Sequence, residues 1–370
     1  MGSGGTHIRF LFGARTRSPY IGGIDILMNI QDNLKRKVIL KEFTTFRIGG
    51  PADFFVRVQN IKELKEVLIY TQENKLRVFI LGGGSNIVFQ DDGFRGLVIK
   101  IEIKGILYKD LKENEILLEA GGGEIWDDLV SFSVAHGFYG IENLSAIPGT
   151  VGAAPVQNIG AFGVEVGDFI ESVDVIDIKT GKERKFTKKE CMFGYRDSFF
   201  KTKVGKEYII TRVVFKLIKD GKLNFSYSDI SQHFKIGNKT LCLKETRKAI
   251  IAIRSKKSPN LDRVCTAGSF FKNPILTNKK YKVLLDMFPD IPSYNIDKQH
   301  VKVPLGFILE KLGWKGKKYK NVGIYKKQSL VVVGGSNSTQ KELETFAQMI
   351  EVDVKNKTGI FIEREVVFVK

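Results

Sequence analysis

Three glycine-rich turns punctuate the chain: Gly82-Gly83-Gly84-Ser85-Asn86, Gly121-Gly122-Gly123, and the run from Ile147-Pro148-Gly149-Thr150 to Val151-Gly152-Ala153-Ala154. The first two directly follow short apolar runs. Glycine has no Cβ, so its backbone can approach another backbone or a ligand closely. Successive N–H groups in such turns can also form a concave nest for an anion. None of the three fits G-x-G-x-x-G or G-x-x-x-x-G-K-[ST], which argues against a Rossmann dinucleotide site and against a P-loop. Taken singly, each reads as a tight turn. Three in succession beside strands point instead to a cradle for an elongated, phosphate-bearing ligand, which needs several close backbone approaches.

The segments between the turns alternate in type. Ile61, Leu64, Val67 and Leu68, with Lys62, Glu63, Lys65 and Glu66 between them, predict an amphipathic helix over 61–74. Strands are predicted over 77–81, 97–103 and 115–120, and a helix over 126–135. Strand, glycine turn, helix, strand is the grammar of an α/β domain. Further strands are expected over 173–178 and 208–217, with a helix over 244–256. A smaller α/β unit begins near Ser258, with a helix at 305–312 and a strand at 329–333. Thr339 and Glu342 have capping-box spacing before a helix carrying Leu343, Phe346, Ile350 and Val354. A strand over 360–368 closes the chain.

At 370 residues the chain is too long for one simple core and suggests two or three domains. Its formal net charge of +18 fits either a lysine-rich solvated surface or a field that gathers anions. The basic residues are spread out, with no stripe that interleaves them with aromatics, so small anions are favoured over nucleic acid. Cys191, Cys242 and Cys265 match no metal or disulfide spacing and read as reduced structural thiols. His7, His136, His233 and His300 are scattered, so no metal site is expected. No apolar run is long enough to span a bilayer. Residues 1–27 are expected to be a tag or leader, because Met1-Gly2-Ser3-Gly4-Gly5 has the look of added sequence and Met28 is a second candidate start.

Longer segments narrow the reading. They are Thr45-Phe46-Arg47-Ile48-Gly49-Gly50-Pro51-Ala52, the Leu81–Asn86 turn, Ile141-Glu142-Asn143-Leu144-Ser145-Ala146-Ile147-Pro148-Gly149-Thr150, and Pro155-Val156-Gln157-Asn158-Ile159-Gly160-Ala161-Phe162-Gly163. Phe193-Gly194-Tyr195-Arg196-Asp197-Ser198, Ala267-Gly268-Ser269-Phe270-Phe271-Lys272-Asn273-Pro274 and Glu363-Arg364-Glu365-Val366 follow. In this order and spacing, from about Val38 to the C-terminus, the chain resembles the UDP-N-acetylenolpyruvoylglucosamine reductase family. The resemblance implies an α+β protein with an FAD-binding fold of the vanillyl-alcohol-oxidase type. Two α/β subdomains are expected at 28–105 and 106–258, and a smaller α/β substrate-binding domain at 259–359. Residues 360–370 then form a strand returning to the FAD-binding part.

The same resemblance implies that Thr45, Gly82, Gly83, Gly84, Ser85, Asn86, Gly122, Gly123, Pro148, Gly149, Gly152, Asn158, Gly160 and Arg254 bind FAD. The link is non-covalent, with Ser85 standing where covalent relatives often carry histidine. It implies that NADPH is the reductant and UDP-N-acetylglucosamine enolpyruvate the substrate, in a cytoplasmic, monomeric enzyme of peptidoglycan precursor synthesis. The NADPH nicotinamide and the enolpyruvyl group would occupy the same space in turn.

Hydride addition to an enol ether beside a carboxylate builds negative charge on that carboxylate, and a proton must then reach carbon. The resemblance assigns the catalytic roles to Arg196, which suits the developing charge, to Ser269 as proton donor, and to Glu365. It assigns substrate contacts to Tyr227, Lys257, Asn273, Tyr294 and Gln328, although the segment Lys257–Leu261 departs from the family pattern. On residue type alone each has an ordinary alternative. Arg196 would pair with Asp197, Ser269 would cap a turn, and Glu365 would face solvent from a strand. A flavin-dependent oxidase and a basic nucleic-acid-binding module are the competing functions. Neither accounts for the Ser269 and Glu365 motifs.

Overall fold

The computed structural model describes residues 33–225, 230–232, 234, 242–261 and 263–370. The chain divides into two compact units, neither of them continuous in sequence. The first is built mainly from Phe54–Gly82 and Gly96–Ile250, the second from Lys37–Asp53, Gly83–Arg95 and Ile251–Lys370.

In the first unit the predicted amphipathic helix runs over Ile61–Glu73. Asn60 caps it, its side chain accepting from the Glu63 N–H at 2.9 Å, which satisfies an otherwise orphaned donor. Its buried face, Leu64, Val67 and Leu68, packs with Val56, Val58, Leu97 and Ile99. Full burial of each such side chain contributes about 1.5–3 kcal/mol. Val78–Leu81 and Phe94–Ile101 pair in parallel, Val78 opposite Leu97, and Pro51–Val58 flanks the latter strand.

A five-stranded sheet follows in the same unit. Its order is Glu183–Thr187, Ile170–Asp177, Tyr208–Ile218, Glu115–Gly121 and Ile106–Asp110. All four of its ladders are antiparallel, so the strand–helix–strand alternation read from the sequence does not produce parallel neighbours here. The helix Trp126–Ala135 buries Trp126, Leu129 and Val130 in a core shared with Leu118, Val173, Val213 and Phe215. The Trp126 Nε1–H donates to the Leu144 carbonyl at 2.9 Å, tying the helix to the segment before the third glycine turn.

The second unit holds an antiparallel sheet ordered Cys265–Ser269, Val331–Gly334, Val322–Ile324, Lys318–Tyr319. A three-stranded sheet ordered Ile275–Thr277, His300–Lys302, Tyr294–Asn295 accompanies it. The capping box is formed as predicted: Thr339 and Glu342 each satisfy the other's backbone N–H at the start of Gln340–Thr358, and Gly359 ends the helix at φ 69°. Leu343, Phe346 and Ile350 from this helix join Phe270, Phe271 and Trp314 in the core. The helix Asn278–Met287, capped by Thr277, is absent from the sequence expectation. The expected closing strand over 360–368 is shorter. Only Val367–Val369 is a strand, parallel to Ile87–Phe89. The preceding residues instead run beside Phe270–Lys272. Among the described residues no helix is long and apolar enough to cross a membrane.

Candidate functional site

The glycine turns differ in what they do. In Gly121–Gly123 all three N–H groups donate to carbonyls of the chain itself: Gly121 to Gly105 at 2.9 Å, Gly122 to Thr211 at 2.8 Å, and Gly123 to Ile103 at 2.8 Å. The anion nest that free N–H groups would make is therefore not formed there. Glycine is required because backbone crosses backbone: a Cβ on Gly123 would lie 2.5 Å from Glu102. Gly152 belongs to the same stack, donating to the Gly122 carbonyl at 2.8 Å. By contrast, among the described residues the N–H groups of Gly83, Gly84, Gly149 and Thr150 donate to no protein acceptor. Donors of this kind are what a turn offers to an anion such as a phosphate, and each unit carries one such turn.

Each of these turns is held from behind. In the second unit, Gly84 sits at φ 63°, where a Cβ would fall 1.9 Å from the Phe43 carbonyl oxygen. Its own carbonyl accepts from Thr45 N–H at 3.1 Å. Thr45 Oγ1 in turn donates to the Thr266 carbonyl at 2.7 Å, so Thr45 braces the turn against the strand that leads to Ser269. Asn86 Nδ2 donates to the Glu365 carbonyl at 3.1 Å. Ser85 beside it is half-buried. In the first unit, Gly82 packs against Thr150, 2.7 Å from Oγ1 to a built Cβ. Asp127 accepts from the Ala146 N–H at 2.6 Å and forms a bidentate pair with Arg247 at 2.6 and 2.8 Å. This clamp fixes the chain just before Pro148. Neither of its members was singled out from sequence, since an acid and a base 120 residues apart leave no local signal.

Two of the three candidate catalytic residues, Ser269 and Glu365, lie in the second unit on segments joined backbone to backbone. A register shift between Thr266 and Ser269 bulges the strand, and Gly268 takes φ 77°. Ser269 is thereby exposed while Phe270 and Phe271 beyond it are buried. The Glu365 N–H donates to the Phe270 carbonyl at 2.8 Å, and Lys272 N–H to the Glu363 carbonyl at 2.9 Å. A Lys272–Glu363 ion pair at 2.8 Å closes the clasp. Glu365 is half-buried.

Four of the five expected substrate contacts, Lys257, Asn273, Tyr294 and Gln328, lie in the same unit. Asn273 Oδ1 accepts from the Leu305 N–H at 2.9 Å and so caps Leu305–Lys311. Gln328 Oε1 accepts from the Leu330 N–H at 3.4 Å, and Leu330 accepts from Phe270 N–H at 2.8 Å. Tyr294 is 48% exposed on an edge strand, so its face is open to a ligand. Arg254 is half-buried on Leu243–Lys257 and Lys257 is exposed one turn later, which puts the two on one side of the helix. Tyr227 lies outside the described residues.

In the first unit, Arg196 sits at the tip of a turn closed by Gly194 N–H to Asp197 O at 3.0 Å and the reverse bond at 3.1 Å. Its φ is 53°, a costly value for a non-glycine residue. Its guanidinium donates to the Gly160 carbonyl at 2.6 Å and to Asn158 O at 3.5 Å. The Asn158 side chain, expected on the cofactor, is 2% exposed and bonded within the protein. Glu142 is buried, and desolvation holds its carboxyl above the ordinary range although the Gly140 N–H donates to it at 2.7 Å. Glu142 and Asn143 stand in a recognisable motif to which sequence alone gives no role. Asn143 Nδ2 donates to Asn224 O at 2.9 Å.

A groove of about 550 Å³ in the same unit is lined by Ile61, Ile103, Leu107, Asp174 and Arg212, among others, and by none of the predicted site residues. Its cations are paired, Arg212 with Glu119 at 3.0 Å and Lys185 with Asp174 at 3.6 Å.

Comparison with known proteins bears on this arrangement. A family model described as FAD binding domain matches residues 52–187. A second, described as UDP-N-acetylenolpyruvoylglucosamine reductase, C-terminal domain, matches residues 260–369. The UDP-N-acetylenolpyruvoylglucosamine reductase of Flavobacterium johnsoniae is 40% identical over 344 residues, covering 92% of this chain and 99% of that one. The protein of the same name from Amoebophilus asiaticus is 38% identical over 340 residues, with 92% and 99% covered. The crystal structure of UDP-N-acetylenolpyruvylglucosamine reductase from Thermus caldophilus shares the fold, with a TM-score of 0.64 at 23% identity over 91% of this chain and 99% of that one. Identity of this level, running almost end to end in both relatives, shows that the chain belongs to the UDP-N-acetylenolpyruvoylglucosamine reductase family of FAD-dependent oxidoreductases.

Proposed function

We propose that this chain reduces UDP-N-acetylglucosamine enolpyruvate to UDP-N-acetylmuramate, with NADPH as reductant and FAD as cofactor, in the synthesis of peptidoglycan precursor. Arg196, Ser269 and Glu365 are its catalytic residues in this reading. The single observation that carries the catalytic assignment is the clasp in the second unit, where the backbone of Glu365 is bonded to the residue next to an exposed Ser269.

Bound FAD supplies a relay for hydride from NADPH to the enolpyruvyl double bond. The remaining work falls to side chains. Arg196 holds the substrate carboxylate and offsets the charge that grows on it as hydride arrives; a guanidinium stays ionised and can meet a carboxylate with two parallel N–H bonds. Ser269 hands its Oγ proton to the adjacent carbon. A free serine is a weak acid, so this role requires a neighbour that supports the alkoxide as it forms. Glu365, in its neutral form or through a bridging water, polarises the carboxylate from the clasped segment; ionised and in direct contact it would oppose the growing charge.

Thr45, Gly82, Gly83, Gly84, Ser85, Asn86, Pro148 and Gly149 hold FAD in this proposal, with Gly122, Gly123, Gly152, Asn158 and Gly160 shaping the surface behind it and Arg254 near it. Tyr227, Lys257, Asn273, Tyr294 and Gln328 grip the nucleotide sugar. The domain division at 28–105, 106–258 and 259–359 belongs to the same proposal. Placement in the cytoplasm and a monomeric state do too; the charge on both nucleotides, which keeps them from crossing a bilayer unaided, supports the first.

The test is spectroscopic and anaerobic. NADPH should bleach the flavin bands of the holoprotein, and the UDP-linked enolpyruvyl sugar should restore them. In Ser269→Ala the bleaching should keep its rate while the restoration slows by about 100-fold or more, the usual scale of a lost proton donor. Restoration that is equally fast in Ser269→Ala removes serine from the mechanism. A parent protein that bleaches and ignores the sugar removes the substrate.

A further inference from the structure

Arg196 is the candidate catalytic residue with the least ordinary setting, and what surrounds it suggests how it is aimed. Asn158 lies behind it at φ 47°, a left-handed conformation that asparagine tolerates better than most residues. Its amide is fully used. Oδ1 accepts from the Gly167 N–H at 2.8 Å, while Nδ2 donates to Glu165 Oε2 at 2.7 Å and to the Gly194 carbonyl at 3.0 Å. The amide cannot be turned over, because a flip would set its oxygen against two acceptors.

Gly194 is the first residue of the four-residue turn whose tip is Tyr195-Arg196. The Asn158 side chain thus grips the base of that turn, while the Asn158 and Gly160 carbonyls receive the guanidinium at its tip. A Cβ built on Gly160 would lie 2.9 Å from Arg196 Nη1 and 3.0 Å from Glu165 Cγ. The arginine and the glutamate therefore share the bare face of that one glycine. Lys201 Nζ adds a bond to the Arg196 carbonyl at 2.8 Å.

We infer that Asn158 and Glu165 are positioning residues that aim the Arg196 guanidinium, with Gly160 kept bare so that both charged side chains can reach it. This rests on the reading of Arg196 as the residue that stabilises the substrate carboxylate. Glu165 has no assigned contact with FAD or NADPH, so the loss of its side chain should be felt mainly when the sugar reoxidises the flavin.

The experiment compares Glu165→Gln and Glu165→Ala with Arg196→Lys in the FAD-loaded enzyme, timing flavin reduction by NADPH and reoxidation by UDP-N-acetylglucosamine enolpyruvate separately. Misplacing a catalytic group by about 1 Å costs up to about 100-fold. Reoxidation should therefore slow by about 10- to 100-fold in both positioning variants, while flavin content and the rate of reduction stay within about twofold of the parent. Loss of flavin, or equal slowing of both half-reactions, assigns Asn158 and Glu165 a structural role and overturns the inference. If Arg196→Lys slows reoxidation and the other two do not, the inference fails while the catalytic reading of Arg196 stands. If Arg196→Lys reoxidises at the parent rate, that catalytic reading fails and takes the inference with it.

Discussion

Gly84 and Gly123 both resist a side chain, but only Gly84 also sits at positive φ, 63°, with an N–H that donates to no acceptor among the described residues. Gly123 serves a crossing of two backbones. Sequence shows both as glycines in a triplet and cannot separate the two uses. A different residue-level consequence follows from Glu142. Burial raises its carboxyl pKa in the folded state above the 4.5 of an exposed glutamate. Between those two values the folded chain keeps a proton that the unfolded chain has released. Stability contributed by this group is therefore full at acid pH and falls as pH rises through the folded value. Glu142→Gln keeps an acceptor for the Gly140 N–H and cannot ionise. Its melting temperature should gain on the parent's as pH is raised from about 4.5 towards neutrality; a constant difference across that range contradicts the account.

At the scale of elements, the Asp127–Arg247 clamp joins two helices, Trp126–Ala135 and Leu243–Lys257, to the backbone at Ala146. Arg247→Ala should destabilise the fold by about 2 kcal/mol, the scale of lost charge-assisted hydrogen bonds at a partly exposed pair. It should also weaken FAD binding, because Pro148 and Gly149 lie just downstream; flavin release during a thermal ramp would report both effects. Helix Ile61–Glu73 is legible from its apolar period, and helix Gln340–Thr358 from capping-box spacing and apolar period together. The antiparallel order of the five-stranded sheet was not, since strand direction depends on partners far away in sequence. The same limit hid Asp127, Arg247 and Glu165. Motif order nominates Arg196, Ser269 and Glu365 as a set. That the backbone of Glu365 is bonded beside Ser269 depends on a pairing across 95 positions of chain, and only the folded structure displays it.

At the scale of the whole molecule, the net charge of +18 sets up a field that attracts anions. NADPH and the UDP-linked sugar are both anionic. For the sugar, kcat/KM should fall several-fold as ionic strength rises from about 0.01 M to about 0.15 M, where the screening length shrinks from about 30 Å to about 8 Å. kcat at saturation should stay level, since charge gathered at a distance affects encounter and not the chemical step; steady-state rates at two salt concentrations check this. The division into two units carries a consequence of another kind. The second unit collects three separated stretches, Lys37–Asp53, Gly83–Arg95 and Ile251–Lys370, and the first is threaded between them. No single cut in the coding sequence isolates either unit. Recombination cannot lend one of them to another protein as a cassette, and a ribosome cannot finish the second before it has finished the first.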